Sequence, residues 1–146
     1  MPERLNAPGL SDPPGYSHAV VASGGRLVTT AGAVPLDAGG NLVGHGDYAA
    51  QTQQVLDNLT LALAAAGADG GDVLKTTVYV ATTDRADLVA AWDVVRETFG
   101  DHQAPSTLVG VTVLGWPDQL VEVEAVAVLD SWREPAPPHD EPGDDA

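Results

Sequence analysis

Two carboxylates, Glu122 and Glu124, stand two residues apart inside an otherwise apolar segment that runs to Leu129. Side chains alternate across a strand, so this segment divides into two rows. One row is wholly apolar (Val121, Val123, Ala125, Ala127, Leu129), and the other mixes Glu122 and Glu124 with Leu120, Val126 and Val128. A carboxyl in a semi-apolar cleft is pushed towards neutral pKa by burial, which suits it to passing protons. Other chemistries lack their residues. The chain has no cysteine, which removes disulfides, thiolate metal sites and thiol nucleophiles together. His18, His45, His102 and His139 have no ligand spacing of the H-E-x-x-H kind, so no metal site is expected. Gly44-His45-Gly46 lacks the strand-to-helix setting of a phosphate loop, and there is no G-x-S-x-G and no P-loop.

The elements that must position those carboxylates follow from periodicity. Strands are expected over 19–22, 26–34, 73–81, 106–114 and 119–129, with a short one at 41–43. Gly24-Gly25 is expected to join the first two as a hairpin. Asp47 can cap a helix ending near Ala66, with Val55, Leu59, Ala62 and Ala66 on its apolar face and Leu56 and Leu63 beside them. A second helix is expected from Thr83 or Asp84 to just before Gly100, with a stripe of Leu88, Trp92, Val95 and Phe99. That order predicts an α+β domain, two helices on one face of a mixed sheet. Beneath the helices should lie the apolar row of the last strand, Val109, Val111 and Val113, and Leu74, Thr76, Val78 and Val80. The opposite face would carry Ser106, Leu108, Gly110, Thr112 and Leu114, with Lys75, Thr77 and Tyr79, beside the glutamates. Such a face is too apolar to be left in water and too charged for a core, so it predicts association of copies.

The chain of 146 residues suits one domain. Residues 1–15 are rich in proline and read as an extended lead-in, 16–132 as the domain, and 133–146 as an acidic, proline-rich, disordered tail. The net charge of −15 repels phosphate backbones and anionic lipid, and the six Lys and Arg are scattered, so neither nucleic acid nor membrane is an expected partner. No apolar run approaches the length of a membrane helix and no leader pattern opens the chain, which reads as cytoplasmic.

Five segments in order resemble the RidA/YjgF family. Pro14-Gly15-Tyr16-Ser17-His18-Ala19-Val20 is similar to its GPYSQAV opening, and Ala31-Gly32-Ala33-Val34-Pro35, preceded by Thr30, to its SGQIP turn. Gln51 with Leu56, Asn58 and Leu59 resembles its Q-x-x-x-x-L-x-N-L helix. The run 72–80 resembles its D-V-V-K-T-T-V-F-V strand, and 121–127 its closing I-E-I-E-A-I-A. The resemblance implies a chorismate-mutase-like fold, a homotrimer with clefts between subunits, and hydrolysis of reactive imines and enamines such as 2-aminoacrylate without cofactor or metal. Carried over, it places Tyr16, Gly32 and Glu124 in the site, with Glu124 positioning or protonating water. The tyrosine could donate a hydrogen bond or simply wall the pocket.

Two positions depart from that pattern. The family arginine that holds a substrate carboxylate falls on Ser106, and one neutral hydroxyl cannot replace a bidentate guanidinium. The asparagine usual in the second helix falls on Trp92. Ser106, Thr107 and Leu108 are accordingly expected as substrate-binding positions. A lengthened loop, Gly115-Trp116-Pro117-Asp118, adds Trp116 to the cleft. A substrate larger or less anionic than 2-aminoacrylate is expected. Two readings follow: an enzyme acting on such an intermediate, or a non-catalytic trimeric protein that holds a metabolite. A third, an endoribonuclease, fits poorly with the charge.

Overall fold

The computed structural model describes residues 2–130, so the acidic tail expected over 133–146 lies outside the described residues. The elements run β1 (Glu3–Leu5), β2 (Ala19–Val21), β3 (Arg26–Thr29), α1 (Tyr48–Ala65), β4 (Val73–Ala81), α2 (Arg85–Phe99), β5 (Ser106–Val111) and β6 (Val121–Leu129). A 3-10 turn, Gly70–Asp72, precedes β4.

Four strands form the main sheet in the order β3-β6-β4-β5, antiparallel except for the parallel β4–β5 pair. Parallel pairing needs a crossover, and α2 supplies it. Asp47 caps α1 by accepting from the Ala50 N–H at 3.0 Å, and Asp84 caps α2 through Ala86 at 2.9 Å. Both helices pack on one face of the sheet, α1 over β6 and α2 over β4 and β5. The core lies between, with Val55, Leu56, Leu59 and Leu63 of α1 and Ala91 and Val95 of α2 against Val78, Val80, Val121, Val123, Ala125 and Ala127. The expected α+β architecture is therefore present, with several local differences.

The lead-in is more than extended chain, because β1 pairs antiparallel with β2 in a separate two-stranded sheet. The hairpin expected at Gly24-Gly25 is absent as a result: β2 is taken by β1, and β3 pairs with β6. The strand expected over 26–34 stops at Thr29 and resumes only as the Ala33–Val123 bridge. In place of a strand at 41–43 there is a single Leu36–Leu42 bridge. The seam of α1 is set by Thr52, Val55, Leu56, Leu59 and Leu63, while Ala62 and Ala66 are exposed, because small side chains lose little by facing water.

The largest correction concerns β5. Thr76, Val78 and Val80 face the helices, and the parallel register pairs them with Ser106, Leu108 and Gly110. Leu108 accordingly packs against the core and Gly110 lies beneath Leu88 of α2. Thr107, Val109 and Val111 point to the uncovered face, and Val113, beyond the strand, is 76% exposed. In β4, a register shift between Val73 and Lys75 buries Val73 in place of Leu74.

Candidate functional site

The uncovered face gathers the ionisable groups. Thr77 of β4 pairs with Glu124 of β6, and Tyr79 with Glu122, so all four side chains share that face. The Tyr79 hydroxyl crosses diagonally and donates to Glu124 Oε1 at 2.6 Å. This bond, followed by burial and then by the charges of Glu124 and Glu122, raises the Tyr79 pKa above its ordinary value of 10.0. The phenol therefore remains a donor at neutral pH and fixes one carboxylate oxygen, whereas Oε2 meets no hydrogen-bond donor among the described residues. Glu124 lines a recess of about 220 Å³ with Thr29, Thr30, Lys75, Thr77, Ala125 and Val126. Lys75 Nζ donates to Thr107 Oγ1 at the β4–β5 side of this face, and forms no ion pair with either glutamate.

Gly32 reaches the same face through an interruption in β3. Thr30 exchanges bonds with Ala125, its N–H donating to the carbonyl and its Oγ1 accepting from the Ala125 N–H. Ala33 pairs next with Val123, so three steps on one chain match two on the other and one residue is extra. The extra length presses Gly32 onto Glu122, where a Cβ would stand 2.5 Å from the carboxylate carbon. A side chain at this position would have to displace the Glu122 carboxylate. The partner of Gly32 is thus Glu122, which also accepts from Gln119 Nε2 at 3.2 Å. From α1, the Asn58 amide donates to the Val34 and Leu36 carbonyls at 2.7 and 2.8 Å and fastens the segment that follows.

Tyr16, Ser106 and Leu108 lie elsewhere, on the helix side of the sheet. With Pro14 and Trp92 they line a second recess of about 250 Å³. Tyr16 meets the Trp92 ring edge-on at 6.2 Å, and Trp92 Nε1 donates to the Pro14 carbonyl at 3.0 Å. His18 holds the lead-in from the other side: its Nδ1 accepts from the Ala7 N–H at 2.9 Å and its Nε2 donates to the Ser11 carbonyl at 3.1 Å. Ser106 Oγ accepts from Thr76 Oγ1 at 2.7 Å. The sheet separates this aromatic recess from Glu124, so the residues expected in one cleft fall on two walls of the protomer.

Trp116 lines neither recess and is 52% exposed on the turn before β6. Gln51, fully buried in α1, sets that turn by donating to the Asp118 carbonyl at 3.1 Å and accepting from the Leu120 N–H at 2.8 Å. Sequence reasoning missed Gln51, Asn58 and Gln119 as positioning residues, and a polar residue inside an apolar helical seam was the signal for the first two. No group of three His, Cys, Asp or Glu among the described residues could hold a metal ion. No helix there is long and apolar enough to cross a membrane.

Comparison with known proteins adds the family. The family model described as endoribonuclease L-PSP matches residues 9–129. The chain is 32% identical over 127 residues to the 3-aminoacrylate deaminase RutC of Acinetobacter baylyi, covering 87% of this chain and 98% of that one. It is 35% identical over 106 residues to the 2-iminobutanoate/2-iminopropanoate deaminase of Salmonella typhimurium, covering 71% and 80%. Among solved structures, a Rid-family protein of unknown function from Yersinia pestis superposes with a TM-score of 0.80 at 38% identity, over 88% of this chain and 98% of that chain. With nearly all of the described chain matched, the protein belongs to the endoribonuclease L-PSP family, the YjgF/RidA proteins.

Proposed function

We propose that the protein hydrolyses a reactive imine or enamine in a cleft formed where copies of the chain meet, in a homotrimer. The observation that carries this reading is the Tyr79–Glu124 pair on a sheet face that neither helix covers. Support also comes from relatives named as deaminases of 3-aminoacrylate and of 2-imino acids. A second copy would bring its aromatic recess against the first copy's carboxylate recess, joining walls that one protomer keeps apart.

The chemistry needs one carboxylate and one water. The imine nitrogen is protonated, and Glu124 Oε2 accepts a proton from water as the water oxygen bonds to the imine carbon. Glu124 returns its proton to the carbinolamine nitrogen, the C–N bond breaks and ammonia leaves, and the hydroxyl proton passes to solvent, replacing the one that the imine nitrogen took from it. The products are a carbonyl compound and ammonia, and no electrons change hands. The Tyr79 phenol holds Glu124 in one rotamer throughout. Tyr16 and Trp92 would wall the substrate. Ser106, already engaged with Thr76, offers at most one neutral bond to a carboxylate, which favours a substrate larger or less anionic than 2-aminoacrylate. The same feature favours a second reading, a trimeric protein that binds a metabolite without turning it over.

Imines generated in situ by an amino-acid oxidase, aliphatic, aromatic and cyclic, test both readings. Glu124→Gln is expected to slow imine decay by about 100-fold or more while leaving ligand binding in place. Equal decay with wild type, variant and buffer across all the imines would leave the binding-protein reading.

A further inference from the structure

Trp92 and Ser106, which line the aromatic recess, also border a crevice of about 10 Å³ together with Arg96, Gly15 and Thr76. Arg96 stands one helical turn beyond Trp92 in α2, so the two side chains lie on the same flank of the helix. Its aliphatic stem packs against the lead-in: a Cβ on Gly15 would stand 2.6 Å from Arg96 Cγ and Cδ, and Gly15 itself holds φ +87°. Only glycine provides both the backbone shape and the space. The segment that delivers Tyr16 to the recess thus also seats Arg96.

Among the described residues, Asp93 is the one side chain that pairs with that guanidinium. Arg96 Nη2 lies 3.3 Å from Asp93 Oδ1, with the side chains 52% and 57% exposed, and a pair of that kind is weak and readily exchanged. An arginine presents five N–H donors, so one loose contact leaves most of them to offer.

We infer that Arg96 is a specificity-determining residue that binds an acidic group carried on the distal part of the substrate, with the apolar body against Tyr16 and Trp92. The ligand class is an amphiphilic carboxylate, its acid separated from the reacting carbon by the width of the recess. This assignment rests on the reading of the recess as half of the reacting cleft.

The test uses 3-phenylpropanoate and its uncharged amide as probes, with binding read by tryptophan fluorescence and calorimetry on the full chain. The acid is expected to bind wild type about tenfold more tightly than the amide. Arg96→Met, which keeps the stem against Gly15, should abolish that preference, and Arg96→Lys should retain part of it. Asp93→Asn removes the competing carboxylate and should tighten the acid about twofold without changing the amide. A merely structural Arg96 would weaken both probes together. Equal binding of acid and amide to wild type, or a preference surviving in Arg96→Met, overturns the assignment. Failure of imine hydrolysis alone would sink the proposed reaction and leave this binding result to be judged by itself.

Discussion

The contact between Tyr79 and Glu124 divides the carboxylate into one oxygen that is held and one that can act. Because the phenol donates to a carboxylate, its proton is retained more tightly in the folded chain than in the unfolded one. Between pH 10.0 and the raised folded value, the unfolded chain has lost this proton and the native chain has kept it. The stabilisation is therefore complete below pH 10.0 and is lost as pH rises through the folded pKa. Absorbance titration at 295 nm should show one of the three tyrosines ionising later than the others, and Tyr79→Phe should delete that component. Glu124→Ala should return it towards the ordinary value; an unmoved titration would mean that the hydrogen bond is not formed in solution. The two glutamates were legible as a shared face from their spacing alone. The division of labour between them was not, because Gly32 reaches Glu122 only through the irregularity at 30–33, and β3 reads in sequence as unbroken.

At the scale of elements, the register of the edge strand decided where the site residues went. Both rows of the 106–114 segment contain large apolar side chains, Leu108 and Leu114 in one and Val109, Val111 and Val113 in the other. Period two therefore cannot choose a face, and the choice fell to the parallel pairing of Ser106, Leu108 and Gly110 with Thr76, Val78 and Val80. Helix limits were legible to within a residue or two, since Asp47 and Asp84 both act as caps. The turn into β6 depends on a contact no local pattern reveals. Replacing Gln51 by Leu would leave the half-buried Leu120 N–H and the Asp118 carbonyl without their partner, at a cost of about 1–3 kcal/mol. Urea unfolding checks this, and a loss under about 0.5 kcal/mol would show that the turn holds itself. Asn58→Ala should release the Val34–Leu36 segment and speed amide exchange at Ala33, whose N–H bonds to the Val123 carbonyl at 2.8 Å.

On the scale of the whole molecule, one sheet presents two incomplete walls. Its uncovered side holds Glu124, Tyr79 and Lys75 among valines, and its helix side holds Tyr16, Trp92 and Ser106 at the edge of the core. A substrate between Tyr16 and Glu124 must therefore touch two copies. Mixing tests this most directly. Glu124→Gln and Tyr16→Ala chains, each first shown to be strongly impaired alone, would be unfolded together, refolded and assayed for imine hydrolysis. Random assembly restores intact clefts from one wall of each parent, and activity should return to roughly one-quarter of wild type. Mixed oligomers, verified by mass spectrometry, that remain as inactive as their parents would contradict a cleft shared between copies.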